Sequence, residues 1–576
     1  MRNRLGPLSP LWVLMPVGFL FLASFIRLLQ LHLSGLERAE GRFVKTQVLE
    51  APRGRILDRS RRVLAEDRPT WKLVMDAPWE GRRHGGRWKG AEQEKVEDLQ
   101  DLASACGLEA EALAAIMADP NRVRVALARD LSTASADRVR AILSVVPGSG
   151  LKLEKGWKRF YPHGRVLSHL VGYTSVVGEV RRGAIGLEQR LNSDLAGVDG
   201  KKESLEVFGS YGVNPAGAFR PAKSAPDWAT TLDVGIGSVL HSELGQVMIE
   251  HEPEWAAAIV VDVNTGDLLA AGALPDFDPN YLTDSPADGL PLFWPIEPGS
   301  TCKPFVVGAA LATGAIKPSD VFDGEGGVWH VRKPPIRNSR GVPGGLLDAE
   351  GVLIWSSNIG AGKIGMRLGA ESLNDALAEF GFWDATNIRH PEPLLGRRPS
   401  PREWENRAWT VPSVSMGHQL SLTPIRLVYA YAALVNGGVL YRPQISLDEE
   451  PVQERRVIPN RWSGWMREVL AGVVEMPHRK WLPRWDDLRW GGKSGTVKKL
   501  HEDGYTSLFA AFGPVENPQV AVLVVVENPS GKETFGSRVA GPAAGRILRY
   551  ALGHPLESSS VSFLEREFLS AMFLGE

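Results

Sequence analysis

The stretch "AAAIVVDVNTGDLLAAGAL", Ala256–Leu274, decides the fold. Two alternating apolar runs of strand length flank Asn264-Thr265-Gly266, so the pattern predicts a β-hairpin. Far downstream, "TSLFAAFGPVENPQVAVLVVVENP", Thr506–Pro529, repeats it around a turn at Pro514–Pro518. Upstream, "WATTLDVGIGSVLHSELGQVM", Trp228–Met248, reads as a short strand ending at Asp233 and a long helix, which opens this domain. Strands at both ends with helices between them predict an antiparallel sheet closed by the two extremes of the segment, an α+β arrangement.

Within that frame three short motifs occur in order. "EPGSTCKPF", Glu297–Phe305, places Ser300 and Lys303 three residues apart after a Pro-Gly turn. On a helix opening at the serine both side chains share one face. "WSSNIG" then supplies Ser356, Ser357 and Asn358, and "GGKSGTV" supplies Lys493, Ser494, Gly495 and Thr496. Each is weak alone, and the ordered set is far more specific.

Composition bounds the chemistry. The 576 residues are long for one core, so two or three domains are expected. Lys plus Arg (66) nearly cancels Asp plus Glu (67), so charge gives no argument for a nucleic-acid partner. Two cysteines, Cys106 and Cys302, exclude a disulfide framework and any Cys-rich zinc site, and the twelve histidines form no ligand-spaced pair. No metal and no cofactor is expected.

The N-terminus carries "LGPLSPLWVLMPVGFLFLASFI", Leu5–Ile26, uncharged and long enough to cross a bilayer, behind Arg2 and Arg4. The positive-inside rule puts residues 1–10 in the cytoplasm, a single transmembrane anchor at 11–33, and the bulk outside. Residues 34–227 read as a smaller strand-containing platform, 228–555 as the main domain, and 556–576 as a tail helix with Val561, Leu564, Phe568 and Met572 on one face. In the platform, "APRGRILDRSRRVLA", Ala51–Ala65, reads as a surface hairpin turning around Asp58 and Arg59, and "GRRHGGRWKG" (81–90) as a solvated basic loop. Helices are expected through Val96–Cys106 and "LEAEALAAIM" (108–117), and another from Gly186.

The motif trio S-x-x-K, S-x-N and K-[ST]-G is that of penicillin-binding proteins and serine β-lactamases. Beyond it the chain resembles the class B penicillin-binding proteins almost end to end. The resemblance covers "RGRILDR", "RFYPHGRVLSHLVGYT", "GLEQRLNSDLAG", "VVDVNTGDLLA", "DFDPN", "LTPIRLVYAYAALVNGG" and "AVLVVVENP". It implies a transpeptidase domain of the penicillin-binding, β-lactamase-like fold, its antiparallel sheet covered by helices on both sides. This domain would stand on an elongated N-terminal platform anchored in the bacterial inner (cytoplasmic) membrane, with the bulk periplasmic or extracytoplasmic. Segment lengths and wording are most similar to the septal, cell-division member. The substrate implied is the peptidoglycan stem peptide or its lipid-linked precursor. β-Lactams would bind covalently, and a membrane glycosyltransferase with other cell-wall or division proteins would be partners.

Side-chain chemistry supports the roles. A serine hydroxyl needs a base within reach, and a lysine serves only if its amine is held neutral by burial or by another cation. Ser300 is therefore read as nucleophile and Lys303 as its base, with Lys493 as the second cation. Ser356, donor and acceptor at once, suits a proton relay, and Asn358 suits substrate amides. Lys493, Ser494, Gly495 and Thr496 are read as a strand edge binding a terminal carboxylate and an added peptide strand. The resemblance implies an oxyanion hole from the backbone N–H groups of Ser300 and Thr496.

Cys302 is read as a buried thiol. His418 is read as structural, since no partner carboxylate is assignable. Three places depart from the family pattern: "DRSRR" and "SMGHQL", where a glycine is usual, and "FGFWDAT", with Trp383 in a habitually glycine-rich loop. The rival readings are a D,D-carboxypeptidase or β-lactamase-type hydrolase, which needs a deacylating base the sequence does not identify, and a non-catalytic divisome scaffold or β-lactam sensor.

Overall fold

The computed structural model describes residues 22, 24–28, 44–76, 94–118, 124–145, 151–177, 180–205, 219–282, 291–386, 388, 395–499, 503–531 and 533–554. The basic loop, the tail helix and most of the expected anchor lie outside them. Among the described residues no helix is long and apolar enough to cross a membrane.

The chain divides into two units. The first comprises Met1–Gly54, Asp67–Lys158 and Ala196–Ala225; the second comprises Arg55–Glu66, Arg159–Leu195 and Pro226–Glu576. In the first lies the 67–76 part of the strand Val63–Asp76, which pairs antiparallel with Arg124–Leu131 from Trp71 to Asp76; the strand also pairs with Leu151–Phe160. The helices expected from the 96–117 pattern are present as Glu94–Cys106 and Ala110–Ala118. Leu102, Leu113 and Val139 join Leu73 and Leu127 in a separate small core.

In the second unit the hairpin of the opening quotation is β1 (Trp255–Asp262) and β2 (Leu268–Leu274). The downstream strands are β3 (Gly491–Lys498), β4 (Tyr505–Gly513) and β5 (Val520–Glu527). The order is β2-β1-β5-β4-β3, every pair antiparallel, so the two ends of the segment meet where Ala258 lies opposite Val524. All eight residues of β5 are buried, which a strand achieves only when both faces are covered. One layer holds α1 (Val234–His251) and α7 (Gly541–Ala551), packed on each other and on the sheet. The other holds α5 (Pro424–Val435) with α2 (Lys303–Ala312) and α6 (Asn460–Glu475). The α1 helix starts where expected because the Asp233 carboxylate accepts from the N–H groups of Gly235 (2.8 Å) and Ile236 (3.1 Å).

Two stretches that sequence patterning assigns to the platform belong to this unit. In the Arg55–Glu66 hairpin, Ile56 lies opposite Ala65 and Leu57 opposite Val63. Its turn is not merely a surface feature, because Asp58 is fully buried and accepts from Ser60 N, Arg62 N and Arg62 Nε (2.6 Å). In the Arg159–Leu195 stretch, buried Arg159 pairs with buried Glu188 at 2.5 Å, and Tyr161 exchanges both backbone hydrogen bonds with the Asn280 side chain. The helix expected from Gly186 is present as Gly186–Arg190.

Candidate active site

The cleft is built where α2, β3 and the start of α4 (Asn358–Leu368) converge. Ser300 sits in a 3₁₀ turn, Gly299–Cys302, that runs straight into α2. Phe305, on the first turn of α2, is wedged among Phe380, Phe382 and Tyr431 at ring separations of 4.9–5.1 Å. The Tyr431 hydroxyl donates to Thr301 O at 2.7 Å, so the turn is fixed from below.

Two glycines bring the neighbouring segments against that turn. Gly417 has φ +82°, donates no side chain, and accepts from Gly299 N at 3.1 Å; a Cβ there would lie 2.0 Å from Gly299 O. Gly495 faces Pro298 O, which a Cβ would approach to 2.9 Å. Edge strand β3 can therefore lie directly beside the serine turn.

Two lysines are buried here, Lys303 at 0% and Lys493 at 1% exposure. Lys303 Nζ donates to Ser356 O (2.7 Å), Ser356 Oγ (3.2 Å) and Asn358 Oδ1 (2.8 Å). Lys493 Nζ donates to Ser356 Oγ (2.9 Å) and Ser494 O (3.0 Å). The Ser356 hydroxyl thus bridges both amines, on a residue whose φ of 58° is left-handed and therefore strained. Burial pulls Lys303 down to about 7. Burial, then the charges of Lys303 and Arg479, hold Lys493 well below the usual lysine range. Two amines sharing one hydroxyl in a dry cleft resist being charged together. One of them can accept a proton near neutral pH.

The three sequence motifs do meet, with a difference at their centre. The Ser300 hydroxyl makes no hydrogen bond to Lys303, because the three donors of that amine are all directed at Ser356 and Asn358. Asn358 is similarly engaged: its Oδ1 takes the Lys303 bond and its Nδ2 donates to Arg337 O at 2.8 Å, leaving one amide hydrogen for another partner. Thr496 Oγ1 accepts from Gly536 N (2.9 Å) and keeps its own proton to donate. Cys302 is fully buried, its thiol pushed up to about 12 by burial, and it packs rather than reacts.

His418 corrects the sequence reading. Its carboxylate partner is Glu297, with Oε2 3.0 Å from Nδ1, while Oε1 accepts from Gln419 N at 3.1 Å. The same carboxylate steadies Gln419, whose φ is +63°, the left-handed region in which "SMGHQL" lacks the usual glycine. Trp383, the third departure, donates Nε1 to Arg397 O and Ser421 O. Sequence reasoning also missed Asn338, whose Oδ1 accepts from Asn358 N (2.8 Å), Ile359 N (3.1 Å) and Ser357 Oγ (3.2 Å), capping α4 from another segment. No spacing rule could find it, because the cap comes from twenty residues away.

A serine on a fixed turn, a buried amine that can go neutral and an edge strand that can take a peptide together form an arrangement suited to serine acyl transfer. Residues 256–549 match the penicillin binding protein transpeptidase domain, and residues 48–207 match the penicillin-binding protein dimerisation domain. The chain is 30% identical to the peptidoglycan D,D-transpeptidase FtsI of Escherichia coli K12, over 89% of this chain and 85% of that one. It is 28% identical to the probable peptidoglycan D,D-transpeptidase PenA of Neisseria meningitidis, over 93% and 91%. Penicillin Binding Protein 2X from Streptococcus thermophilus shares the fold, with a TM-score of 0.70 at 19% identity over 90% of this chain and 81% of that one. The chain belongs to the class B penicillin-binding proteins, serine-type D,D-transpeptidases.

Proposed function

We propose that this chain cross-links peptidoglycan stem peptides through an acyl-enzyme on Ser300. The observation that carries this reading is the buried Lys303 amine, one helical turn from Ser300, drawn down to about 7 and tied to Ser356. The Lys303–Ser356 Oγ bond is the longest of its three, and exchanging it lets the neutral amine take the Ser300 proton as Oγ attacks the penultimate D-Ala carbonyl. The N–H groups of Ser300 and Thr496 hold the developing oxyanion. The Ser356 hydroxyl passes a proton to the leaving D-Ala amine and is reprotonated along the lysine network. An amine of a neighbouring stem peptide then attacks the ester and releases Ser300. Lys493, Ser494 and Thr496 receive the terminal carboxylate, with Gly495 leaving room for the peptide backbone along β3 and Asn358 binding its amides.

In this reading residues 11–33 anchor the chain in the bacterial inner membrane, residues 1–10 lie in the cytoplasm, and the platform is 34–227 less the 55–66 and 159–195 stretches, which fold with the domain of 228–555. The likeness to FtsI supports a septal role, alongside a membrane glycosyltransferase that makes the glycan strand. β-Lactams acylate Ser300 as substrate mimics.

The test is labelling of the detergent-solubilised full chain with a fluorescent penicillin, followed by mapping of the adduct. A long-lived adduct on Ser300, absent in Ser300→Ala and Lys303→Ala, is expected. An adduct that persists in Ser300→Ala overturns the assignment, and rapid decay in wild type moves the reading to a hydrolase.

A further inference from the structure

The Ser356 hydroxyl joins both lysines, yet the backbone that presents it is a strained residue between two helices. Before it stands the short helix α3 (Ala349–Ile354), whose Gly351, Val352 and Leu353 carbonyls accept from the N–H groups of Trp355, Ser357 and Ser356, which leaves the carbonyl of its last residue to a side chain. That carbonyl, Ile354 O, accepts from Arg479 Nη2 at 3.0 Å. The other arm of the same guanidinium, Nη1, donates to Val473 O at 2.9 Å, in the last turn of α6. Arg479 therefore caps two helix C-termini at once, where a cation is also favoured by both helix dipoles. Next to it, the exposed His478 ring stacks on Trp355 at 5.6 Å and 18° between planes. Trp355 is the residue between Ile354 and Ser356.

We propose that Arg479, with His478, is a positioning clamp for Ser356: it fixes the segment Ile354–Trp355 against α6 so that the Ser356 hydroxyl stays between the two lysines. Two contacts of different kinds, a charged hydrogen bond and a ring stack, hold two consecutive residues just before the hydroxyl. The guanidinium is also a third cation near Lys493, and burial pulls Arg479 itself down to about 10. The cations around the relay are thus Lys303, Lys493 and Arg479.

This inference rests on the relay role proposed for Ser356, and a pair of substrates separates the two. Breaking a penicillin amide needs a proton delivered to nitrogen, whereas a thioester depsipeptide expels a thiolate and needs none. Acylation of the full chain is measured on both substrates for Ser356→Ala, Arg479→Gln and His478→Ala. Ser356→Ala should lose about 100-fold on penicillin and under about 10-fold on the thioester. Arg479→Gln should show the same bias at about 10-fold against under about 3-fold, and His478→Ala at about 3-fold against no change. Where Ser356→Ala shows the bias, equal losses on both substrates, or none, in Arg479→Gln overturn the clamp. Should Arg479→Gln not fold, His478→Ala decides by the same bias, since its ring is exposed. Should Ser356→Ala itself lose both substrates alike, the relay reading falls, and the clamp stands only if Arg479→Gln reproduces the Ser356→Ala pattern.

Discussion

In the central sheet every residue of β5 is buried and all but Glu527 are apolar, whereas the cleft alongside buries two lysines, Lys303 and Lys493, just as completely. Burial of the first kind stabilises, at roughly 25 cal/mol per Å² of apolar surface removed from water. Burial of the second kind costs free energy, and shows as depressed proton affinity. The same scaffold thus spends stability gained in β1, β4 and β5 on holding a lysine at about 7. Substitutions in the two regions should therefore move stability and activity in opposite ways.

The largest separation is expected at Lys303. Replacing it by Met should cut acylation by about 10³-fold or more, read as the rate of penicillin adduct formation. In wild type that rate should climb as pH rises through about 7, where the amine loses its proton. The stability effect has the opposite sign and its own pH window. Folded Lys303 titrates near 7 and unfolded lysine near 10.4, so the cost of charging it in the fold is fully present below about 7. That cost fades as pH rises between the two values and is absent above the higher one. Stability of Lys303→Met relative to wild type should therefore improve by about 3–5 kcal/mol between pH 10 and pH 6. Denaturant titration at the two pH values measures it, and a flat difference would show that Lys303 is not held neutral by the fold.

Leu523, fully buried in β5 opposite Ile259 and Ala510, is the counterpart in the sheet. Leu523→Ala should cost about 2–5 kcal/mol of stability and leave the acylation rate of the folded fraction within about twofold. Gly417→Ala should fall between the two regions. Its added Cβ meets Gly299 O at 2.0 Å with φ at +82°, so a loss of about 2–4 kcal/mol should come with at least about a tenfold drop in acylation. Thermal melting beside adduct kinetics separates these cases, and a stable but inactive Gly417→Ala would mean the turn moves without strain on the core.

The sheet was legible because apolar alternation and turn tripeptides are local signals, and Ala256–Leu274 contains both. The lysine-serine network was legible in part: three motifs named Ser300, Lys303, Ser356, Asn358 and Lys493, and chemistry explained why a lysine must be buried. What stayed hidden is what comes from a distance. Asn338 caps α4 across twenty residues, Arg479 caps α3 across 125, and Glu297 meets His418 across 121. Nothing in a window around His418 points to Glu297, although that glutamate stands inside the most informative motif of the chain. The registration of Lys303 on Ser356 rather than on Ser300 was hidden for another reason. A helix face brings two side chains near each other, but which acceptors an ammonium selects depends on the segment folded over it.

The smallest expected effects sharpen the same contrast at two non-glycine turns. Arg61 has φ +64° in the hairpin turn after Asp58, where the family pattern favours glycine, and its side chain is exposed. Gln419 has φ +63° beside the serine turn, but Glu297 Oε1 accepts its N–H. Glycine removes the left-handed penalty at both positions while loosening the unfolded chain, so the net gain should be about 0.5–1 kcal/mol at Arg61. At Gln419 the same substitution also relieves the side-chain Oε1, which is buried without a partner, so the gain should be slightly larger. The difference between them lies in activity. Arg61→Gly should leave acylation unchanged, because its turn is held by the Asp58 carboxylate far from the nucleophile in sequence. Gln419→Gly frees the backbone that Glu297 and the Gly417 to Gly299 contact keep in place, and should slow acylation about two- to threefold despite the more stable fold. Equal activity in the two variants would mean that the left-handed conformation at Gln419 is as incidental to the chemistry as that of Arg61.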